Sequence, residues 1–576
     1  MTPNVDQPPD RFSNADDPNV EQRDLPVTIL HDKTILLDVH HPLYADARDS
    51  IARVSELEKA PEHVHTYRIS PISLWNAAAQ GLDADDVKID LGRFAQHGLP
   101  KTLIDDIDNY IGRYGKIRLL RSGRPDRLFL RFDDPYLEQE VLHLKTIGPL
   151  LRHLDEPGLY AIKTELRGEL KWELVKLGYP VDDQAGYSEG KLLDLELRKK
   201  TSEGREFALR DYQKEAVEIF HQSGSEKGGH GVIVLPCGSG KTVVGLGIIQ
   251  KVGMHTLILA SGTVAVRQWI REILDKTDLS EGMVGEYSGD RKEIRPVTVT
   301  TYQVLTHRKD KHSDFTHLNK VSNQPWGLVI YDEVHLLPAP VFRFTAGIQG
   351  LRRLGLTATL VREDNRELEV FGLIGPKKYD VPWKVLEKRD FIAEAHCFEI
   401  RVAMNASSWE QYHTSGKRAQ FRIAAENPAK LDVLRGLLAE HEEDHVLVIG
   451  QYIGQLREIA KGLDVPLIDG SMPSKKREIL FREFRDGTRR ILVVSRVANF
   501  AIDLPEANVG IQVSGTFGSR QEEAQRLGRL LRPKNEQSIF YTVVSRDTCE
   551  QDFALLRQRF LAEQGYRYII EDRDPD

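Results

Sequence analysis

The chain has 576 residues, and its 79 lysines and arginines against 87 aspartates and glutamates give a formal net charge of −8. This length exceeds what one hydrophobic core normally serves, so we expect several domains. The acidic balance excludes a protein that coats nucleic acid along its whole surface, although it allows local basic surfaces. No stretch approaches the roughly 18 apolar residues that cross a bilayer, and no apolar leader opens the chain, so we expect neither membrane insertion nor secretion.

Cysteine usage indicates a reducing compartment. The three cysteines form no CxxC motif and no paired framework, which predicts a cytoplasmic protein without structural zinc or an iron–sulfur cluster. Four histidines near the N-terminus lack cysteine partners and helical i, i+4 spacing, so we interpret them as ordinary core or surface residues. The cysteines are Cys237, Cys397 and Cys549, and the histidines are His40, His41, His63 and His65.

The N-terminal third predicts a tail and two small domains. Residues 1–26 hold five prolines among acidic and amide side chains, which predicts a disordered acidic tail. Residues 27–134 predict a winged-helix-like or small α/β domain, because a helical stripe precedes two short runs, Ile117–Leu119 and Leu128–Leu130, that resemble a hairpin wing. Residues 135–205 predict a second small domain. Such modules contact DNA or dock other proteins, and the fold does not decide between the two.

After Phe207, short β-branched strands alternate with helices, which is typical of parallel sheets covered on both faces. Two such series predict an α/β fold with two lobes, at residues 206–390 and 391–550, followed by a C-terminal tail, residues 551–576. The first series of predicted strands is Val232–Leu235, Thr256–Ala260, Val297–Thr301, Leu328–Tyr331 and Leu354–Leu356. The second is Val446–Ile449, Ile491–Val494, Val509–Val513 and Ile539–Val544.

A glycine-rich segment between the first of these strands and its helix predicts a phosphate-binding loop. It reads Gly238-Ser239-Gly240-Lys241-Thr242. Glycines let backbone N–H groups face phosphate oxygens at a helix N-terminus, while a lysine adds charge and a threonine hydroxyl reaches Mg²⁺. The strict pattern has another glycine where this chain has Leu235, but the flanking strand and helix favour the functional interpretation over an incidental turn.

An acidic pair, Asp332 and Glu333, follows a later strand of the same series. Side chains at the carboxyl ends of parallel strands line the ligand site of α/β sheets. An acidic pair alone is usually part of a solvated loop. Beside a phosphate loop, however, Asp332 is predicted to hold Mg²⁺ through its water shell and Glu333 to orient the attacking water.

Positive charge for the transferred phosphoryl group is predicted to come from the second lobe. Arg529 and Arg532 lie three residues apart, on one helical face, in a segment that begins at Gln525. The alternative is a solvated basic helix, because charged runs commonly face water.

Together with Thr357-Ala358-Thr359, these motifs resemble, in their order, those of superfamily 2 helicases. Residues 205–550 resemble the XPB DNA repair helicases, and the upstream regions resemble the bacterial branch of that family. The resemblance implies that residues 135–205 are similar to a damage-recognition domain. Arg362-Glu363-Asp364 is similar to the RED motif of XPB proteins. The segments that carry the resemblance are 235–242, 355–364, 502–508 and 518–529.

The resemblance implies two RecA-like lobes with ATP between them, and it assigns further residues. Those assigned to ATP are Arg210 and Gln213, which match an adenine-reading element, together with Asp503, Gln525, Arg529 and Arg532. Those assigned to DNA, or to its coupling with ATP, are Thr301, Thr357, Thr359, Arg362, Glu363, Asp364, Lys417 and Arg418, the last two in a thumb-like insertion near residues 404–428.

The resemblance implies an ATP-dependent DNA helicase of 3′–5′ polarity that unwinds or remodels DNA in repair, with ATP and Mg²⁺ as cofactors. It implies single-stranded, duplex or forked DNA as the partner, and a monomer that joins the nucleoid when bound to DNA. A nuclease or other repair protein stays open as a further partner. Three alternatives also stay open: a translocase that moves duplex DNA without separating its strands, a non-catalytic DNA-binding scaffold, and an RNA-remodelling enzyme.

Overall fold

The computed structural model describes residues 24–59, 63–124, 127–163, 166–184, 190–224, 229–236, 238–308, 315–337, 339, 345, 348, 350–359, 367–381, 383–389, 391–495, 507–515, 526–527 and 537–574. The disordered tail predicted for residues 1–26 lies almost entirely outside this range. Within the range the chain forms two small N-terminal domains and two larger α/β lobes.

The first domain is a four-stranded antiparallel sheet with four helices. Its strands are β1 (Val27–Ile29), β2 (Thr34–Asp38), β3 (Glu56–Lys59) and β4 (Val64–Arg68), and its helices are α1 (Tyr44–Ile51), α2 (Pro71–Ala79), α3 (Ala84–Phe94) and α4 (Lys101–Arg113). The sheet order is β1-β2-β4-β3. Helix α2 begins where Ser70 and Ser73 form a reciprocal capping box, which satisfies backbone donors of the first turn.

The hairpin predicted as a wing belongs instead to the second domain. Its strands, β5 (Ile117–Arg121) and β6 (Arg127–Phe132), are central members of a five-stranded sheet in the order β7-β8-β6-β5-β9. The remaining elements are β7 (Arg152–His153), β8 (Leu159–Lys163), β9 (Val181–Asp183), α5 (Pro135–Leu142) and α6 (Arg167–Lys176). The winged-helix interpretation and the boundary at residue 134 are therefore wrong, because pairing of β6 with the distant β8 cannot be deduced from a local hairpin pattern.

The first lobe is built on a seven-stranded sheet whose strands are all parallel. Its strands are β10 (His230–Val234), β11 (Thr256–Ala260), β12 (Val284–Tyr287), β13 (Val297–Thr301), β14 (Leu328–Asp332), β15 (Arg352–Thr357) and β16 (Lys377–Asp380), in the order β12-β13-β11-β14-β15-β10-β16. Its helices are α7 (Asp211–His221), α8 (Lys241–Val252), α9 (Thr263–Lys276), α10 (Tyr302–Leu305), α11 (Thr316–Ser322), α12 (Glu367–Leu373) and α13 (Trp383–Glu387). Residues 190–205, predicted to close the second domain, run along this lobe, since Leu193 and Leu195 are part of its core.

The second lobe has another seven-stranded parallel sheet, in the order β19-β20-β18-β21-β22-β17-β23. Its strands are β17 (Ala395–Val402), β18 (Val446–Ile449), β19 (Leu467–Ile468), β20 (Ile491–Val494), β21 (Val509–Gln512), β22 (Ser538–Ser545) and β23 (Tyr568–Asp572). The described helices are α14 (Ala406–Thr414), α15 (Lys417–Ala425), α16 (Lys430–Glu440), α17 (Ile453–Gly462), α18 (Ser474–Arg485) and α19 (Cys549–Glu563).

The predicted C-terminal tail is part of this second lobe. Strand β23 pairs with β17, and helix α19 packs on the lobe with Arg557 and Gln558 buried. Because polar side chains occupy inward positions of α19, its sequence lacks the clear apolar stripe that marks a core helix. The prediction of a tail at residues 551–576 is therefore wrong.

The predicted α/β fold with two parallel-sheet lobes is confirmed. All nine strands predicted from the sequence are present, with ends displaced by at most two residues. Four of the five further strands, β12, β16, β19 and β23, are the edges of the two sheets. Edge strands are short and carry polar residues, so they lack the apolar β-branched runs that identify central strands. In the described part of the chain, no helix is long and apolar enough to cross a membrane.

The first domain contacts both lobes. On the first lobe, the Lys377 backbone N–H donates to Asn76 Oδ1 at 3.0 Å. On the second, Arg567 donates to the Val39 carbonyl at 3.1 Å, and Ala562 of α19 is part of the first domain's hydrophobic cluster. The first domain therefore bridges the two lobes in this structure.

We expect this interface to lose stability at acidic pH. Burial, with the nearby cations Arg48 and Arg567, lowers the pKa of His65 to about 4. In the unfolded chain this histidine is protonated below about pH 6.5, whereas in the folded protein it stays neutral until about pH 4. The free energy of unfolding therefore decreases as the pH falls from about 6.5 towards 4. The midpoint of thermal unfolding should decrease less across this pH range in a His65→Gln variant than in the parent. The control, His31→Gln at an exposed position, should show the same decrease as the parent. An unchanged drop in His65→Gln would contradict this assignment.

Candidate functional site

The predicted phosphate loop connects β10 to α8 at the carboxyl edge of the first sheet. Gly238 and Gly240 have φ of 79° and 84°, in the left-handed region that glycine adopts without strain. A Cβ at Gly240 would lie 2.6 Å from Gln213 Nε2, so the loop passes directly over that side chain. Helix α8 begins at Lys241, which leaves its first N–H groups at the loop.

Two side chains of α7 support the loop from below. The Gln213 Nε2 donates to the Ser239 carbonyl at 3.0 Å, and the Tyr212 hydroxyl donates to the same carbonyl. The Gln213 Oε1 accepts from the Arg210 backbone N–H at 2.9 Å. Because the buried Gln213 amide bonds through both its groups inside the protein, this structure gives it a loop-supporting position, and the adenine contact assigned to it stays a prediction.

Arg210 joins this loop support to the start of the second lobe. Its guanidinium donates to the Phe391 carbonyl at 3.3 Å and lies over the Phe391 ring, 4.8 Å from the centroid. The Tyr212 ring contacts the same phenyl group. Arg210 therefore lies between the phosphate loop and the hinge between the lobes, where a flat group such as adenine can stack.

The acidic pair lies at the same edge of the sheet. Strand β14 ends on Asp332, and β14, β15 and β10 are consecutive in the sheet. Burial and the neighbouring Glu333 raise the pKa of Asp332 to about 6, while Lys241 and an indole hydrogen bond act in the opposite direction. That bond comes from Trp269 Nε1, which donates to Asp332 Oδ2 at 2.9 Å.

Glu333 has a strained backbone and an unsatisfied carboxylate oxygen. Its φ of 51° is in the left-handed region, unusual for a residue with a side chain. Its Oε2 is buried and has no hydrogen-bond partner among the described residues. Since a buried carboxylate oxygen without a donor is costly, this atom fits a site that is completed by water or substrate.

A histidine connects the acidic pair to the next strand. His335 Nδ1 lies 3.4 Å from Glu333 Oε2 and 3.0 Å from the Thr357 hydroxyl at the end of β15. Thr357 Oγ1 in turn donates to the Thr359 carbonyl at 2.6 Å. The side chains of His335, Thr357 and Thr359 are buried, which disfavours direct contact of either threonine with DNA.

Three residues predicted for DNA contact have different surroundings. Thr301 is buried, and its hydroxyl caps α10 by accepting from the Val304 backbone N–H at 3.2 Å. The assignment of Thr301 to DNA or to its coupling with ATP stays a prediction, and in this structure its hydroxyl is used inside the first lobe. Lys417 and Arg418 are exposed at the start of α15, the second helix of a pair that occupies the predicted thumb-like insertion.

Several predicted site residues lie outside the described residues. They are Arg362, Glu363, Asp364, Asp503, Gln525, Arg529 and Arg532. Arg526, inside the same motif as Arg529, is described. It is buried and donates from Nη1 to Gln512 Oε1 at the end of β21.

The described residues fit a nucleoside triphosphate with Mg²⁺. The loop presents backbone donors and Lys241 to phosphate, and Thr242 and Asp332 supply the oxygen ligands that Mg²⁺ prefers. Sequence reasoning missed Trp269, Tyr212 and Phe391, because each resembles an ordinary core aromatic and only the tertiary contacts show its polar bond or stacking role.

Family models match three parts of the chain. A model described as the ERCC3/RAD25/XPB C-terminal helicase matches residues 386–574. A helicase conserved C-terminal domain matches residues 27–155, and the res subunit of type III restriction enzymes matches residues 206–362.

Curated relatives match nearly the whole chain. It is 49% identical to the DNA 3′-5′ helicase XPB of Mycobacterium tuberculosis, over 96% of this chain and 98% of that protein. It is 50% identical to the DNA 3′-5′ helicase XPB of Kineococcus radiotolerans, over 96% and 97%. It is 32% identical to the general transcription and DNA repair factor IIH helicase/translocase subunit XPB of Antonospora locustae, over 95% and 82%. The chain belongs to the XPB family of DNA helicases.

Proposed function

We propose that this protein is an ATP-dependent DNA helicase of 3′–5′ polarity that acts in DNA repair. The observation that carries the proposal is that Lys241, Asp332 and the unsatisfied Glu333 oxygen lie at one edge of the first sheet. The chain that holds them is about half identical to 3′-5′ helicases over 96% of its length. The partner is DNA, and the protein works as a monomer in the cytoplasm. A nuclease partner remains a prediction.

Each of the candidate site residues has a separate proposed role in ATP hydrolysis. Lys241 and the loop N–H groups bind the β- and γ-phosphates, and Thr242 and Asp332 hold Mg²⁺. ATP supplies the reacting phosphoanhydride and Mg²⁺ neutralises its charge. Glu333 Oε2, buried and without a described donor, orients a water for attack. Arg529 and Arg532 are proposed to supply positive charge from the second lobe.

The Glu333–His335–Thr357 contacts support a path from hydrolysis to DNA. His335 contacts both the acidic pair and the end of β15, so a shift of Glu333 changes the hydrogen bonding of Thr357. Residues 360–364 follow directly in the sequence and include the RED motif that we propose for DNA engagement. Each nucleotide state would then favour a different grip on DNA.

A translocase that moves duplex DNA without separating it is a second candidate, because the Antonospora relative is named a helicase/translocase subunit. The same ATPase residues serve both activities. Unwinding of a 3′-tailed duplex should be compared with displacement of a triplex-forming strand from an intact duplex. Unwinding is expected, and displacement without unwinding would replace the helicase proposal. Absence of DNA-stimulated ATP hydrolysis would instead favour a non-catalytic scaffold, and stimulation by RNA alone would favour an RNA-remodelling enzyme.

Two variants separate phosphate binding from water positioning. Lys241→Ala should abolish turnover by weakening ATP binding, whereas Glu333→Gln should bind ATP normally but hydrolyse it about 100-fold or more slowly. Nucleotide binding and steady-state ATPase assays measure the two effects. Glu218→Gln, an exposed carboxylate of α7 in the same lobe, is the matched control and should retain activity. Normal turnover by Glu333→Gln would refute its proposed role.

The indole hydrogen bond to Asp332 gives a third variant. Trp269→Phe keeps an aromatic ring but removes the Nε1 donor, so the Mg²⁺ concentration for half-maximal ATPase should rise about tenfold. Trp326→Phe is the control, since it removes a buried indole donor of the same lobe whose acceptor is the Val321 carbonyl. An unchanged Mg²⁺ requirement in Trp269→Phe would show that this bond does not position Asp332.

A further inference from the structure

A buried ion pair lies in the second lobe, away from the phosphate loop. Lys430 Nζ, on α16, lies 2.9 and 2.8 Å from the two carboxylate oxygens of Glu550, on α19. The side chains are 1% and 0% exposed. Glu550 also accepts from the Ser545 backbone N–H at 2.8 Å, where β22 ends.

On one side, the pair holds the end of β21. Lys430 donates to the Val513 carbonyl at 3.0 Å. The preceding residue, Gln512, accepts the hydrogen bond from Arg526. Gly515 lies so close to the Arg557 guanidinium that an added Cβ would come within 2.4 Å of it. The strand end that supports Arg526 is therefore fixed by buried charged groups of α16 and α19.

On the other side, the same polar network holds the α14–α15 helical pair. The Ser545 hydroxyl donates to the Ala424 carbonyl at 2.7 Å. Gln455 Nε2 donates to the Ala425 carbonyl at 2.6 Å, and Gln455 Oε1 accepts from the Ser514 hydroxyl at 2.7 Å. The C-terminal carbonyls of α15 are thus connected to the end of β21 through one or two side chains.

Stability alone does not account for such a network. Replacing a buried ion pair by apolar side chains of similar size is often neutral or stabilising, because desolvation offsets the attraction between the charges. Directional bonds from one ammonium group to a carboxylate and a backbone carbonyl do, however, fix three chain segments relative to one another.

We propose that Lys430 and Glu550 are positioning residues that couple the exposed helical pair α14–α15, whose second helix begins with Lys417 and Arg418, to the Arg526-bearing motif. The inference rests on the proposed function, because it assumes that this motif supplies Arg529 and Arg532 to ATP hydrolysis. A displacement of α15 by DNA passes through Ser545 and Gln455 to residues 512–514. The hydrogen bond between Arg526 and Gln512 then changes, and this change is the link to ATP hydrolysis.

The test uses the full chain with the double substitution Lys430→Met and Glu550→Leu, which removes both charges together. The expected result is a DNA-stimulated kcat for ATP that falls about 10- to 100-fold, with a KM for ATP within about twofold of the parent. The thermal midpoint should fall, because the Ser545 N–H and the Val513 carbonyl lose these partners, so kcat is compared at a temperature at which circular dichroism shows both proteins folded. Lys430→Met alone leaves Glu550 buried without its cation, so poor folding of that single variant is expected and does not affect the test.

Lys171→Met is the matched control. Lys171 is also a buried lysine in an ion pair, with Asp183 of the second small domain, and Arg167 continues to pair with that carboxylate. It should keep the stimulated kcat. A double variant that keeps both its folding and its stimulated kcat would overturn the inference, and so would one whose loss of activity only follows loss of folded protein. Absence of DNA-stimulated ATPase in the parent would instead refute the proposed function.

Discussion

Parallel pairing of β10, β15 and β14 in one sheet is the constraint on which the candidate site depends. Parallel strands that are neighbours all end at the same edge, so the phosphate loop, Thr357 and Asp332 meet although they are far apart in the sequence. Buried apolar residues on both faces of the sheet hold this register. The polar site residues at the edge of the sheet are therefore held in place by an apolar core.

Desolvation gives that edge its electrostatic character. Burial, with the charge of the adjacent Glu333, raises the pKa of Asp332. The indole of Trp269 and the ammonium of Lys241 act on this pKa in the opposite direction. The unsatisfied Glu333 oxygen and its left-handed backbone indicate strain that is retained at the site for its chemistry.

The second lobe places its buried charge differently. Lys430 and Glu550 bind each other and the backbone at the ends of two strands, so this pair orients chain segments. Both side chains are buried. The first domain adds contacts to both lobes and so limits how far they can rotate apart without breaking Asn76–Lys377 or Val39–Arg567. A rotation of one lobe relative to the other therefore changes the contacts of the first domain.

The sequence by itself determined the two lobes, the central strands and the positions of Lys241, Asp332 and Glu333, because apolar β-branched runs and glycine-rich turns are local signals. It did not determine the edge strands, the inclusion of residues 551–572 in the second sheet, or the true partners of the 117–132 hairpin. It also assigned Gln213 to adenine and Thr301 to DNA, whereas tertiary contacts bury both side chains against backbone groups. Only the folded chain decides such questions, because long-range pairing and the choice between a solvent contact and an internal hydrogen bond depend on residues distant in the sequence.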